Sequence, residues 1–280
     1  PSRAARPTNN PPRLAEPSDG VHVDRLNDST SLQLRSTANR PPNSGDSGIL
    51  GLFSGPKTVL LPHVPVVLYC PGSASMNTSV KVRIPATSAN MGPGFDCLGM
   101  ALDIWNTLDL ETGGSGVEIT GEGSDLLPRD ASNMVHDAVS RVYREIGRSV
   151  PSFRIVCHNE VPLARGLGSS SAALIGGLVA GNAVCGDPLS RSDLLDIAAD
   201  IEGHPDNVAP ALMGGCQIVV RDGDRLIATP VSVPEELKVV LFVPDVPMPT
   251  DKARAVLTPN VTREDAVYNV GRVALLVNAF

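Results

Sequence analysis

Basic charge is in short supply. The chain has 23 Lys and Arg against 30 Asp and Glu, a formal net charge of −7 over 280 residues. It therefore lacks the electrostatic footprint of a general nucleic-acid binder. Long apolar runs are missing too: no stretch of about 18 apolar residues occurs, which excludes a membrane-spanning helix. The five cysteines (Cys70, Cys97, Cys157, Cys185 and Cys216) are odd in number and never spaced CxxC. That fits neither a disulfide scaffold nor a zinc site and points to a reducing compartment. What is present is a 42% hydrophobic share, enough for a packed core, with 26 Gly and 25 Pro to make turns. The length allows one large domain or two modest ones.

Two unlike pieces share the chain. Residues 1–75 hold eleven Pro and ten Ser with little apolar periodicity before Ile49, a composition that does not offset its ordering entropy. They are expected to be a disordered leader or upstream read-through, with Met76 as the true start. A plastid transit peptide is the alternative, weakened by Glu16, Asp19, Asp24, Asp28 and Asp46. From residue 76 the pattern predicts strands over 80–84, 104–110, 117–120, 153–158, 217–220, 226–231 and 237–243. Helices are predicted over 133–146, 169–183, 192–201 and 265–279. In the first, Val135, Ala138, Val139, Val142 and Ile146 share a face, and Ser192 is a candidate N-cap for the third. No internal repeat is evident.

The strongest chemical signal is Pro162-Leu163-Ala164-Arg165-Gly166-Leu167-Gly168-Ser169-Ser170-Ser171-Ala172-Ala173, lying between a strand and a small-residue helix. Gly166 and Gly168 permit backbone angles that let successive amides converge on an anion. The free N–H groups and dipole of the following helix favour phosphate there. Ser169, Ser170 and Ser171 add hydroxyls for phosphate or a metal. The spacing is neither the Walker pattern nor the dinucleotide fingerprint. Taken alone, the same string also fits a Gly/Ser-rich turn and an ordinary helix cap.

This string resembles the second motif of the GHMP small-molecule kinases. Two further stretches resemble the homoserine kinases within them: Pro85-Ala86-Thr87-Ser88-Ala89-Asn90-Met91-Gly92-Pro93-Gly94-Phe95-Asp96, and Glu202-Gly203-His204-Pro205-Asp206-Asn207-Val208-Ala209-Pro210. The resemblance runs from about Lys81 to Phe280. It implies an α+β GHMP kinase fold in two parts. Residues 76–229 would form the N-terminal nucleotide and substrate domain, of the ribosomal-protein-S5-domain-2-like type. Residues 230–280 would begin a ferredoxin-like C-terminal domain. A third Gly-rich motif and a further substrate Arg are expected downstream of Phe280, so the chain is expected to be a fragment.

The implied activity is ATP-dependent phosphorylation of the side-chain hydroxyl of L-homoserine, in threonine biosynthesis, with ATP and Mg²⁺ bound. Residues 162–172 would cradle the phosphates, Asn133 would lie by the nucleotide, and Ser170 and Glu202 would hold the metal. Asn90, Asp96, His204, Asn207, Thr250 and Arg254 would face the acceptor. Each has a plainer reading: local turn bonds for Asn90 and Asp96, a structural histidine, a surface Arg254, a capping Asn133. Asp96 is a candidate base, with direct transfer and late proton loss as the other course. The implied partner is a small molecule, with no nucleic acid and no membrane, and homodimerisation is left open. The compartment is cytoplasmic, or plastid if residues 1–75 are a transit peptide. The competing functions are another GHMP kinase acting on an alcohol such as mevalonate, and a non-catalytic nucleotide-binding fragment.

Overall fold

The computed structural model describes residues 53–60, 66–69, 78–234, 236–246 and 253–280. Met76, the first 52 residues of the expected leader, and Thr250 lie outside the described residues.

The frame is a seven-stranded sheet built on two long neighbours, β3 (Ser79–Ala89) and β4 (Leu98–Thr112), paired antiparallel along their length. In β3, Val80, Val82 and Ile84 are buried while Lys81 is exposed and Arg83 half-exposed, the period-two pattern of a half-covered sheet. The strand outruns the expected 80–84. The register shifts between Pro85 and Ala86, where a residue without an N–H is tolerated at an irregularity. Pro85–Ala89 of the first motif is therefore strand, and its turn starts only at Asn90.

β4 pairs β6 (Phe153–Asn159) through Thr107–Thr112 and β7 (Cys216–Asp222) through Leu98–Met100. β5 (Gly116–Gly121) lies parallel to β6, and β8 (Arg225–Val231) forms a hairpin with β7. The boundary expected between 229 and 230 falls inside β8. β2 (Val67–Tyr69) pairs with β3, and β1 (Phe53–Leu60) pairs antiparallel with β9 (Lys238–Pro244). Both β1 and β2 belong to the stretch expected to be without regular structure.

Helices cover the sheet. α1 (Met134–Glu145) presents Val135, Ala138, Val139 and Val142 to the core, as the spacing predicts. α2 (Ser169–Val184) is buried on nearly every side, which its run of Ala, Gly, Leu, Ile and Val permits. α3 (Arg191–Glu202) is capped by Ser190, not Ser192. The reason is a capping box: Ser190 accepts from the Asp193 amide, and the Asp193 carboxylate accepts from the Ser190 amide at 3.0 Å. α4 (Val208–Met213) was not foreseen, because Pro210 argues against a helix. It sits in the first turn, where its missing N–H has no intrahelical partner to lose. α5 (Arg263–Ala279) is tied to the first-motif turn, with Asn269 Nδ2 donating to Pro93 O at 3.0 Å. Among the described residues no helix is long and apolar enough to cross a membrane.

Gly99 of β4 marks where the sheet meets the Glu202–Pro210 stretch. A Cβ there would lie 1.9 Å from the Asp206 carbonyl oxygen, a backbone atom that cannot swing aside. Gly99→Ala is expected to destabilise the fold by about 1–3 kcal/mol through overpacking, read from urea unfolding. The control, Gly271→Ala in open space on α5, should be neutral or gain up to about 1 kcal/mol. Equal stability of the two variants would contradict this packing.

Candidate active site

The loop from β6 to α2 forms a cradle through three left-handed residues. Ala164, Gly166 and Gly168 take φ of 53°, 71° and 65°. For Ala164 that conformation is strained, and the surrounding contacts must hold it. Gly168 is the N-cap of α2 and makes no side-chain cap bond, so the first amides of that helix keep no side-chain acceptor from their cap. A Cβ at Gly168 would come within 1.9 Å of Thr87 Oγ1 and 3.1 Å of Asn207 Oδ1. Those two atoms are bonded to each other, Thr87 Oγ1 donating to Asn207 Oδ1 at 2.8 Å, while Thr87 N donates to Leu167 O at 3.1 Å. Three stretches far apart in sequence meet at one glycine.

The cradle opens into a cavity of about 770 Å³. Its apolar lining includes Ile84, Leu108, Ile119, Leu127, Val135 and Cys157. Burial pushes the Cys157 thiol up to about 11, so it is a neutral wall atom and not a nucleophile. Residues 163–172, Glu202, Asn90 and Asn207 line it too. Asn133 also lines the cavity, yet its side chain works as a cap: Oδ1 accepts from Val135 N and Nδ2 donates to Pro128 O. Pro162 is not part of the lining.

Glu202, the last residue of α3, faces the start of α2. Its Oε1 accepts from Ser170 Oγ at 2.5 Å and from Ser171 Oγ at 3.1 Å. Among the described residues no cluster of three or more His, Cys, Asp or Glu side chains could hold a metal. One carboxylate with adjacent hydroxyls is a hard oxygen set. It suits Mg²⁺, which takes its other ligands from phosphates and water, and does not suit zinc.

Asp96, His204 and Arg254 do not line this cavity; they form a cluster beside it. Arg254 forks onto Asp96, Nη1 to Oδ2 at 3.1 Å and Nη2 to Oδ1, with its guanidinium 5.1 Å over the Phe95 ring. Asp96 and Arg254, both expected to face the acceptor, grip one another in this structure. Asn90 Oδ1 accepts from the Asp96 amide at 2.9 Å, the local turn bond that was the plainer reading. Asn90 and Asp96 both sit at positive φ, 56° and 57°, which their residue types tolerate. His204 Nδ1 lies 3.0 Å from Oδ1 of the fully buried Asp206. A carboxylate oxygen is the acceptor of this pair when Nδ1 carries the proton.

Sequence reasoning missed the apolar lining, whose residues read as ordinary core, and gave no roles to Thr87 and Asp206. A signal existed for those two: both are polar groups inside the quoted motifs, and both are completely buried.

This sheet, with a glycine cradle feeding a buried helix, defines a GHMP kinase, and the family model "GHMP kinases N terminal domain" matches residues 133–215. The homoserine kinase of Moorella thermoacetica is 45% identical over 199 residues, 71% of this chain and 67% of that protein. That of Desulfitobacterium hafniense is 46% identical over 201 residues, covering 71% and 68%. The crystal structure of homoserine kinase from Cytophaga hutchinsonii aligns with a TM-score of 0.62 at 32% identity, over 75% of this chain and 70% of that one. The chain spans about two thirds of the length of these proteins and belongs to the homoserine kinase family.

Two outcomes test the geometry. Gly168→Ala forces a side chain onto Thr87 at a positive φ, and ATP affinity measured by calorimetry should fall at least about tenfold; unchanged affinity would disprove the cradle. The Asp206 hydrogen bond holds the His204 pKa above its ordinary value, Glu202 adding to the effect while burial and Arg254 oppose it. A raised folded pKa contributes stability that is complete below the unfolded value of about 6.5 and is lost as pH rises through the folded one. His204→Gln should therefore lower Tm more at pH 6 than at pH 8, and equal losses would contradict the ion pair.

Proposed function

We propose that the chain transfers the γ-phosphoryl group of ATP to the side-chain hydroxyl of L-homoserine, giving ADP and O-phospho-L-homoserine on the route to threonine. The observation that carries this reading is one continuous cavity. Its lining brings together apolar residues suited to a nucleobase, the 163–172 loop suited to phosphates, and Asn90 and Asn207. The bond from the acceptor oxygen to phosphorus forms as the bridging bond to the β-phosphate breaks, and the hydroxyl proton leaves. Such a transfer rests on positioning and charge neutralisation more than on covalent help.

The amides of 166–171 and the α2 dipole bind the phosphates. Ser170 and Glu202 would hold Mg²⁺, which supplies charge neutralisation when bound. Asp96, His204, Asn207 and Arg254 serve the acceptor side, with Thr250 an expected hydroxyl partner. An amino acid with both charges suits a cluster that contains a carboxylate and a guanidinium, whereas mevalonate has no ammonium to offer. Both Asp96 oxygens are engaged by the Arg254 fork, which supports direct transfer with late loss of the proton.

The test is ADP release with Mg²⁺ in the presence of homoserine, mevalonate, galactose or shikimate. Homoserine alone should stimulate it; stimulation by another alcohol would keep the cradle and overturn the acceptor reading. Glu202→Gln should lower kcat about 100-fold and raise the Mg²⁺ needed for half-maximal rate. A normal Mg²⁺ dependence in that variant would remove Glu202 from the metal site.

A further inference from the structure

We infer that Phe95 is a positioning residue for the acceptor and acts through Arg254, its ring holding the guanidinium flat where the acceptor would meet it. This deepens the proposed function and rests on Arg254 serving the acceptor side. The local backbone explains why the ring is available. The Gly94 carbonyl accepts from the Cys97 amide at 3.3 Å and from the Leu98 amide at 3.0 Å, closing a tight turn. A Cβ at Gly94 would lie 2.5 Å from Leu98 Cβ, so the turn tolerates no side chain there. Leu98 is thereby sent into the core, completely buried, while Phe95 stays outside it at 47% exposed. Phe95 belongs to neither of the two buried apolar clusters, so core packing does not account for the place of its ring.

What the ring meets is Arg254, whose guanidinium carbon lies 5.1 Å from the ring centre. The next residue, Asp96, takes the fork of the same group, Nη1 to Oδ2 and Nη2 to Oδ1. Two consecutive residues thus hold one guanidinium by its face and by its end. Among the described residues two other arginines lie over aromatic rings, Arg83 over Trp105 and Arg272 over Tyr268, and neither is also bonded to a carboxylate. Arg254 Nε is buried without a hydrogen-bond partner. Part of the cation is therefore out of water, where an aromatic face contributes more than at an open surface. The planar fork of arginine aims its donors only while its plane is fixed. An acceptor whose ammonium draws Asp96 away would loosen the fork. The ring offers nothing that an ammonium or a carboxylate competes for, so it keeps its hold as the substrate enters.

The experiment follows ADP release against homoserine concentration in the wild-type chain, Phe95→Leu and Phe95→Tyr, with ATP affinity and Tm recorded for each. Phe95→Leu should raise the KM for homoserine about three- to tenfold and leave kcat and ATP affinity within about twofold. Phe95→Tyr keeps the ring face and should stay within about twofold of wild type throughout. A homoserine KM in Phe95→Leu within about twofold of wild type would overturn the inference. So would a parallel loss of ATP affinity and Tm, the mark of a merely structural role, or a Phe95→Tyr that fails like the leucine variant. A wild-type chain stimulated by another alcohol and not by homoserine would fail the acceptor reading itself, and the inference with it.

Discussion

The hydrogen bond from Thr87 to Asn207, closed over Gly168, is the constraint on which the site depends. Thr87 comes from the long strand β3, Gly168 from the cap of α2 and Asn207 from the cap of α4. Each is also held within its own element, Thr87 by pairing with Ala101, and Gly168 and Asn207 by accepting from the Ala172 and Ala211 amides; the Thr87–Asn207 bond ties those elements to one another. A buried hydroxyl bonded to a half-buried amide is stable only when the members of the network are satisfied. The missing Cβ at Gly168 is what lets the three backbones come that close.

Charge is divided between two neighbouring compartments. The cavity lining includes one acidic and one basic residue, Glu202 and Arg165. The adjoining cluster pairs Asp96 with Arg254 and Asp206 with His204. A substrate carrying both an ammonium and a carboxylate can exchange partners with such a cluster without stranding a charge. A substrate with a single charge would leave one member of the cluster unpaired, which is expensive in a partly buried site. In the proposed acceptor site, discrimination between alcohols would follow from that asymmetry.

Much of this was legible from residues alone. The turn into α2 was legible because Gly166 and Gly168 stand between a strand and a small-residue helix, and both take left-handed angles. The period of 3.6 in α1 and the alternation in β3 gave the right core faces. What could not be read was whatever depends on long-range contact. Asp96 and Arg254 are 158 positions apart, and nothing local reveals that they pair. The apolar lining of the cavity is drawn from β3, β4, β5, β6 and α1, and each residue there has the character of ordinary core. The shift of the α3 cap from Ser192 to Ser190 shows the reciprocal case: Asp193 decides between two serines by returning a bond to the first of them.

The account stands most directly on Thr87, which touches neither nucleotide nor acceptor in the proposed roles and yet ties their elements together. The decisive measurement is the affinity of Thr87→Val for ATP and, separately, for homoserine in the presence of a non-hydrolysable nucleotide. If the three motifs form one phosphoryl-transfer site, both affinities should fall together, each by at least about tenfold, the scale of one lost buried hydrogen bond with its partner left unpaired. Loss of ATP binding with homoserine binding intact, or no loss of either, would contradict it.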